Sequence, residues 1–178
     1  FKRHLGEVFV HAHVKRDWLP EEGERIEDDL LIRADKNPNT AKARELFDLT
    51  KRGLQAAFAS APEILFVAAA GNSNADAAFE EAIPSDIVLP NLLTVGAVDM
   101  AGDEAPFTSY GPQVKAHANG YQVVSYLPGG DRVAFSGTSM ASPQVAGLAA
   151  KMLAVNPKLT PPEVIAIIQK TLDKTADG

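Results

Sequence analysis

Two uninterrupted apolar runs constrain this chain more than any other feature. Ile64 to Ala69 (ILFVAA) runs into Gly71, and Leu92 to Val98 (LLTVGAV) follows an irregular stretch from Asn74 to Asn91 that holds Pro84 and Pro90. A strand with one wet face alternates apolar and polar residues. A run that is apolar at almost every position must be covered on both faces, as a parallel strand between helices is. The segment before the first run, Thr40 to Ser60, is a long amphipathic helix. Ala43, Leu46, Phe47, Leu54, Ala57 and Phe58 recur at helical spacing, and Pro62 stops it. Apolar strands alternating with helices predict an α/β fold, a mainly parallel sheet flanked by helices.

Other segments fill in that layout. Glu7 to Val14 alternates with period two, which predicts a strand. Residues 15 to 38 are polar and read as loop, with a short helical turn around Ile26 to Ile32. Phe107 to Gly111 is a turn. Short strands follow at Val114 to Ala118, Gln122 to Tyr126 and Arg132 to Phe135, with Pro128-Gly129-Gly130 turning the chain before the last. A helix from about Ser139 to Val155 carries Ala141, Ala146, Gly147, Ala149 and Ala150, small residues that suit burial against other backbone. The last helix has a capping box, Thr160-Pro161-Pro162-Glu163, and Leu159 and Val164 are spaced as a hydrophobic staple. Val164, Ile167, Ile168, Thr171 and Leu172 make one stripe beyond it.

Bulk properties narrow the function classes. The 178 residues suffice for a domain with a core. A net charge of -6 argues against nucleic acid as a partner, because phosphate contacts need clustered Lys and Arg. No apolar run approaches the roughly 20 residues of a membrane span. With Cys 0 there is neither disulfide nor thiolate chemistry, which leaves the compartment open. The chain starts at Phe1, nothing near it looks like a signal peptide, and it reads as a piece of something longer.

The sharpest chemical signal is Phe135 to Gly147, FSGTSMASPQVAG. A serine where a strand, a glycine turn and a helix N-terminus meet is well placed for acyl transfer, because free backbone N–H groups and the helix dipole favour an oxyanion there. Ser and Thr also lead the ranking of N-cap residues, so Ser136, Thr138 or Ser139 could equally cap the helix.

The whole string Gly-Thr-Ser-Met-Ala-Ser-Pro, followed by Val-Ala-Gly, closely resembles the active-site serine signature of the subtilisin-like serine peptidases. Gln144 departs from the pattern, where many members carry His, at a position outside the catalytic triad. Phe66 to Asn72 (FVAAAGN) resembles the family's strand and Ala-Gly-Asn turn. Leu92 to Asp99, Phe107 to Gly111, Ser125 to Gly129 and Asn156 to Thr160 resemble family segments in the same order. The likeness covers about Leu54 to Asp173, and residues 1–178 read as the C-terminal portion of a single subtilisin-like peptidase domain. It implies Ser139 as nucleophile, Asn72 as the oxyanion-hole side chain, and Ala69, Ala70 and Gly71 as one wall of the pocket for the residue before the cut. The family's opposite wall, Ser-x-Gly-Gly, is not found, so side-chain preference is unreadable.

A serine hydroxyl needs an adjacent base, and the base an orienting carboxylate. No aspartate here lies in Asp-Ser/Thr-Gly, and no histidine in His-Gly-Thr-His-Val-Ala-Gly. His11-Ala12-His13-Val14 has only a faint likeness; the two histidines share a strand face and lack the spacing of a metal site. The expectation is a serine peptidase whose catalytic Asp and His lie on a missing N-terminal portion, with the isolated chain inactive. A divergent, catalytically dead scaffold that binds protein is the alternative. An unrelated hydrolase elbow ranks low, since Ala141 stands where that motif needs glycine. Partners are then a polypeptide substrate and the missing portion of the same domain. Resemblance implies an exported, extracytoplasmic parent and leaves room for structural calcium in it. The acidic residues Glu21, Glu22, Glu24, Glu27, Asp28 and Asp29 lack calcium-loop spacing and read as a solvated loop.

Overall fold

The computed structural model describes residues 8–10, 41–77 and 82–173. The acidic cluster, His11 and His13, and the turn expected around Ile26 to Ile32 lie outside them. In chain order the elements are β1 (Val8–Val10), α1 (Ala41–Ala59), β2 (Leu65–Ala69), β3 (Leu92–Val98), β4 (Val114–Asn119), β5 (Val123–Tyr126), β6 (Arg132–Phe135), α2 (Thr138–Val155) and α3 (Pro161–Thr171).

Strands β1 to β4 form one parallel sheet in the order β1-β2-β3-β4. The apolar runs are shared between its two faces with period two. Leu65 and Val67 of β2, with Leu93, Val95 and Ala97 of β3, join one core with Ala141, Val145, Ala146 and Ala149 of α2 and Val164 and Ile168 of α3. Phe66 and Ala68, with Leu92, turn the other way and pack on Leu54 and Phe58 of α1. Phe58 stacks on Phe66 with ring centroids 4.2 Å apart. The fold is therefore three-layered, helix on sheet on helices, as the continuous runs predict.

Local chemistry explains the junctions. Asn91, buried at the start of β3, donates from Nδ2 to the carbonyls of Phe58 (2.9 Å), Ala61 (3.0 Å) and Ile64 (3.2 Å). It thereby ties the last turn of α1, through Phe58, to the connection that leads into β2, through Ala61 and Ile64. The register of β3 and β4 shifts between Thr94 and Val95, so that Ala116 rather than Lys115 stands opposite Val95. This bulge turns Ala116 and Ala118 to the α2 core and Lys115 and His117 away. At the start of α3 the capping box closes, with Thr160 N–H and Oγ1–H both donating to Glu163 Oε2 at 2.7 Å.

Three expectations need adjustment. β5 and β6 form a separate antiparallel hairpin, outside the parallel sheet, with Val124 and Phe135 exposed. On α2, Ala141, Ala146 and Ala149 are buried, but Gly147 and Ala150 are exposed, because they lie on the face turned from the sheet. On α1, Leu46 and Ala57 face outward while Phe47 is buried.

Candidate active site

The site is built where β2 and the start of α2 meet. β2 is followed by a turn held along residues 107–110. Ala70 N–H donates to Val95 O (2.9 Å), Ser109 N–H to Gly71 O (2.9 Å), Ser73 N–H to Ser109 Oγ (3.3 Å) and Asn74 N–H to Phe107 O (2.9 Å). Gly71 adopts φ 110, a conformation that disfavours a side chain, and a β carbon there would lie 3.1 Å from Ser109 Oγ. The turn thus projects Asn72 outward, exposed, towards the start of α2.

From the other side, Gly137 donates its N–H to Gly120 O at 2.7 Å and becomes the N-cap of α2 without a side-chain cap bond. None of the three hydroxyl residues caps the helix. Ser136 Oγ accepts the N–H of Gln122 at 2.9 Å, and the Thr138 hydroxyl donates to Asn72 Oδ1 at 3.0 Å. Ser139, partly buried in the first turn, makes no hydrogen bond through its hydroxyl among the described residues. Its backbone N–H, one of the donors that every helix start leaves over, is likewise uncommitted among them. Pro143, four residues on, has no N–H to offer the Ser139 carbonyl, so that bond of the first turn is missing as well.

Asn72 reaches across to supply what the cap lacks. Its Oδ1 accepts both the backbone N–H of Thr138 at 2.8 Å and the Thr138 hydroxyl at 3.0 Å. Gly71 N–H donates to Thr138 Oγ1 at 3.2 Å. Nδ2 then lies on the Gly137 side, 3.4 Å from where a β carbon on Gly137 would stand. Glycine at 137 leaves that approach open. The arrangement leaves two N–H donors uncommitted among the described residues, Asn72 Nδ2 and Ser139 N, as well as a free serine hydroxyl. Among the residues expected to wall a pocket, Ala69 and Gly71 are half-buried and Ala70 is buried.

Thr138, fully buried, and Ser109 are the residues that sequence reasoning passed over. Thr138 stood in the motif but was legible only as a cap. Ser109 carried no signal beyond its place in Phe107 to Gly111.

No base meets the serine among the described residues. His117, the one histidine among them, is on the sheet face opposite α2, with its ring against Gly96. Burial of that ring lowers its pKa from the usual value, and the Glu104 carboxylate opposes the shift. Among the described residues, no group of three His, Asp or Glu side chains could hold a metal ion. None of their helices is long and apolar enough to cross a membrane.

Comparison with known proteins agrees with this layout. The model of the Subtilase family matches residues 32–178. Subtilisin DY of Bacillus licheniformis is 35% identical over 128 residues, covering 72% of this chain and 46% of its own length. Subtilisin of Bacillus pumilus is 37% identical over 108 residues, 61% of this chain and 39% of that protein. A solved cold-adapted subtilisin-like serine proteinase superposes with a TM-score of 0.64 at 35% identity, covering 71% of this chain and 46% of its own. The chain spans less than half the length of these relatives. Its parallel sheet, its serine motif at the start of α2 and the family match over most of its length lead to one conclusion: the chain belongs to the subtilase family of subtilisin-like serine peptidases.

Proposed function

We propose that this chain is the serine-bearing, C-terminal portion of a peptidase domain that hydrolyses peptide bonds through an acyl-enzyme on Ser139. The observation that carries the reading is the tethering of Asn72 Oδ1 by Thr138, which leaves Nδ2 free at the helix N-terminus that bears Ser139. In the reaction, a histidine outside the described residues takes the proton of Ser139 Oγ, and Oγ bonds to the scissile carbonyl carbon. The carbonyl oxygen becomes an oxyanion, held by Ser139 N–H and Asn72 Nδ2. Its collapse breaks the C–N bond, and the amine leaves with the histidine's proton; water then releases the acyl group by the same steps. The β2 end, through Ala69, Gly71 and the backbone of Ala70, forms one wall of the substrate cleft. By the family likeness, the parent acts on polypeptides outside the cytoplasm.

The histidine and its orienting aspartate belong to an N-terminal portion of the same domain, so the 178 residues alone should hydrolyse peptides poorly or not at all. Loss of the histidine in a subtilisin costs on the order of 10⁶ in turnover. The test is to express the parent with and without its upstream region and to treat both with a fluorophosphonate, reading the label by peptide mass. Labelling at Ser139 only in the longer protein supports the reading. No label in either protein overturns it in favour of a dead scaffold that binds protein. Strong hydrolysis by the 178 residues alone, abolished by Ser139→Ala, overturns the need for an N-terminal portion.

A further inference from the structure

We infer that Gln144 is a positioning residue: its carboxamide stitches the first turn of α2, weakened at Pro143, to the end of β4, and so holds Ser139 in place. The inference rests on the function proposed above in taking Ser139 as the reacting residue. Gln144 Nε2 donates to Asn119 O at 2.5 Å and to Met140 O at 3.0 Å. Both partners are backbone carbonyls, which can only accept, so the NH2 end of the amide must face them. One nitrogen with two protons thus serves two carbonyls. One is on Asn119, the last residue of β4, and the other is on Met140, next in sequence to Ser139.

The start of α2 needs such help. Pro143 has no N–H to give the Ser139 carbonyl, and Gly137 offers no side-chain cap bond. The turn that carries Ser139 therefore depends on contacts from outside the helix. Gly137 N–H donates to Gly120 O at 2.7 Å, and Gly120 is fixed in turn by its own N–H on Val98 O at 2.8 Å. Gln144 reaches the neighbouring carbonyl, that of Asn119. The dipeptide Asn119-Gly120 accordingly grips α2 on either side of Ser139, at Gly137 through backbone and at Gln144 through a side chain. Gln144 is exposed, so its removal leaves no cavity and its effect stays local. Water competes for the same carbonyls, which limits the stitch to the strength of an ordinary hydrogen bond.

Two measurements on the full-length protein test this. The first is kinetic, on Gln144→Met, Pro143→Ala and the double variant. Methionine keeps the length of the side chain and carries no donor. Gln144→Met should lower kcat about fivefold with KM within about twofold, because a displaced serine slows the chemical step and leaves substrate binding intact. Pro143→Ala returns an N–H to the Ser139 carbonyl, so in that background methionine should cost less than about twofold. A penalty undiminished by Pro143→Ala, or an effect confined to KM, overturns the inference. The second is amide hydrogen exchange and needs no activity. The N–H groups of Gly137 and Met140, bonded to Gly120 O and Gly137 O, should exchange about fivefold faster in Gln144→Met, with those of α3 at their wild-type rates. Unchanged rates at Gly137 and Met140, or an equal acceleration in α3, overturn the inference whether or not the protein is a peptidase. Absence of Ser139-dependent hydrolysis, with the exchange result as expected, would instead count against the proposed function.

Discussion

Gly120 and Gly137 touch backbone to backbone: the N–H of Gly137 donates to Gly120 O at 2.7 Å, and Gly120 N–H continues to Val98 O at 2.8 Å. The pair fastens the N-cap of α2 to the end of β3. A β carbon on Gly120 would stand 2.6 Å from Ala97 Cβ and 2.7 Å from Gly137 O, closer than atoms can approach. Gly120→Ala should therefore push Gly137 outward and carry the Ser139 turn with it. Fluorophosphonate labelling at Ser139 in the full-length protein should fall more than tenfold, since small misplacements of reacting groups cost about 10²-fold. Labelling at the wild-type rate would show that the two backbones can separate without disturbing the serine.

In the reaction proposed above, Asn72→Ala removes one of the two oxyanion donors. In the full-length enzyme kcat should drop by about 10²–10³, the cost measured for such an asparagine in a subtilisin, with little change in KM. Steady-state kinetics on a peptide substrate decides it, and an unchanged kcat would remove Asn72 from the mechanism.

Asn91 gives a prediction about stability alone. Asn91→Leu keeps the volume but removes the buried carboxamide that donates to the carbonyls of Phe58, Ala61 and Ile64, the first two of which also accept the N–H of Ala61 and Ile64. Losing these hydrogen bonds should cost about 1–3 kcal/mol, seen as a lower urea midpoint at unchanged slope. A midpoint equal to wild type would mean that these carbonyls find other donors.

The cap of α3 sets a pH dependence. Hydrogen bonds from the Thr160 backbone, and then from its hydroxyl, hold the Glu163 carboxyl below its usual pKa. A depressed folded pKa means that the contribution is present above the unfolded carboxylate pKa and is lost as pH falls through the folded one. Glu163→Gln should thus be less stable than wild type at neutral pH, and the two should converge in acid. Thermal melts of both proteins from neutral to acidic pH would show it; a gap that is constant with pH would assign the cap's effect to something other than charge.

The layered fold was legible because β2 and β3 are apolar at consecutive positions, a pattern only a doubly covered strand sustains. The start of α3 was legible because a capping box is local, four residues long. Local pattern misled at α2, where Gly147 and Ala150 look as burial-prone as Ala146 and Ala149; composition does not say which side of a small-residue helix the sheet occupies. Likewise β5 and β6 read as strands, but nothing in them says that they pair only with each other. Ser139 and Asn72 came into view through motif likeness. The Thr138 hydroxyl, spent on Asn72 rather than on its own helix, did not, because its partner is 66 residues away and no periodicity links them.

That separation bears on when, during folding, the two residues can meet. Asn72 and Thr138 meet only after β2, β3 and β4 have aligned and α2 has docked, so the bond closes a loop of 66 residues. Long loops close slowly and late, because their entropy is lost before the contact is gained. Under the proposed function, a nascent or partly folded chain therefore holds the serine without the Asn72 donor beside it, and that donor arrives only with the long-range contacts.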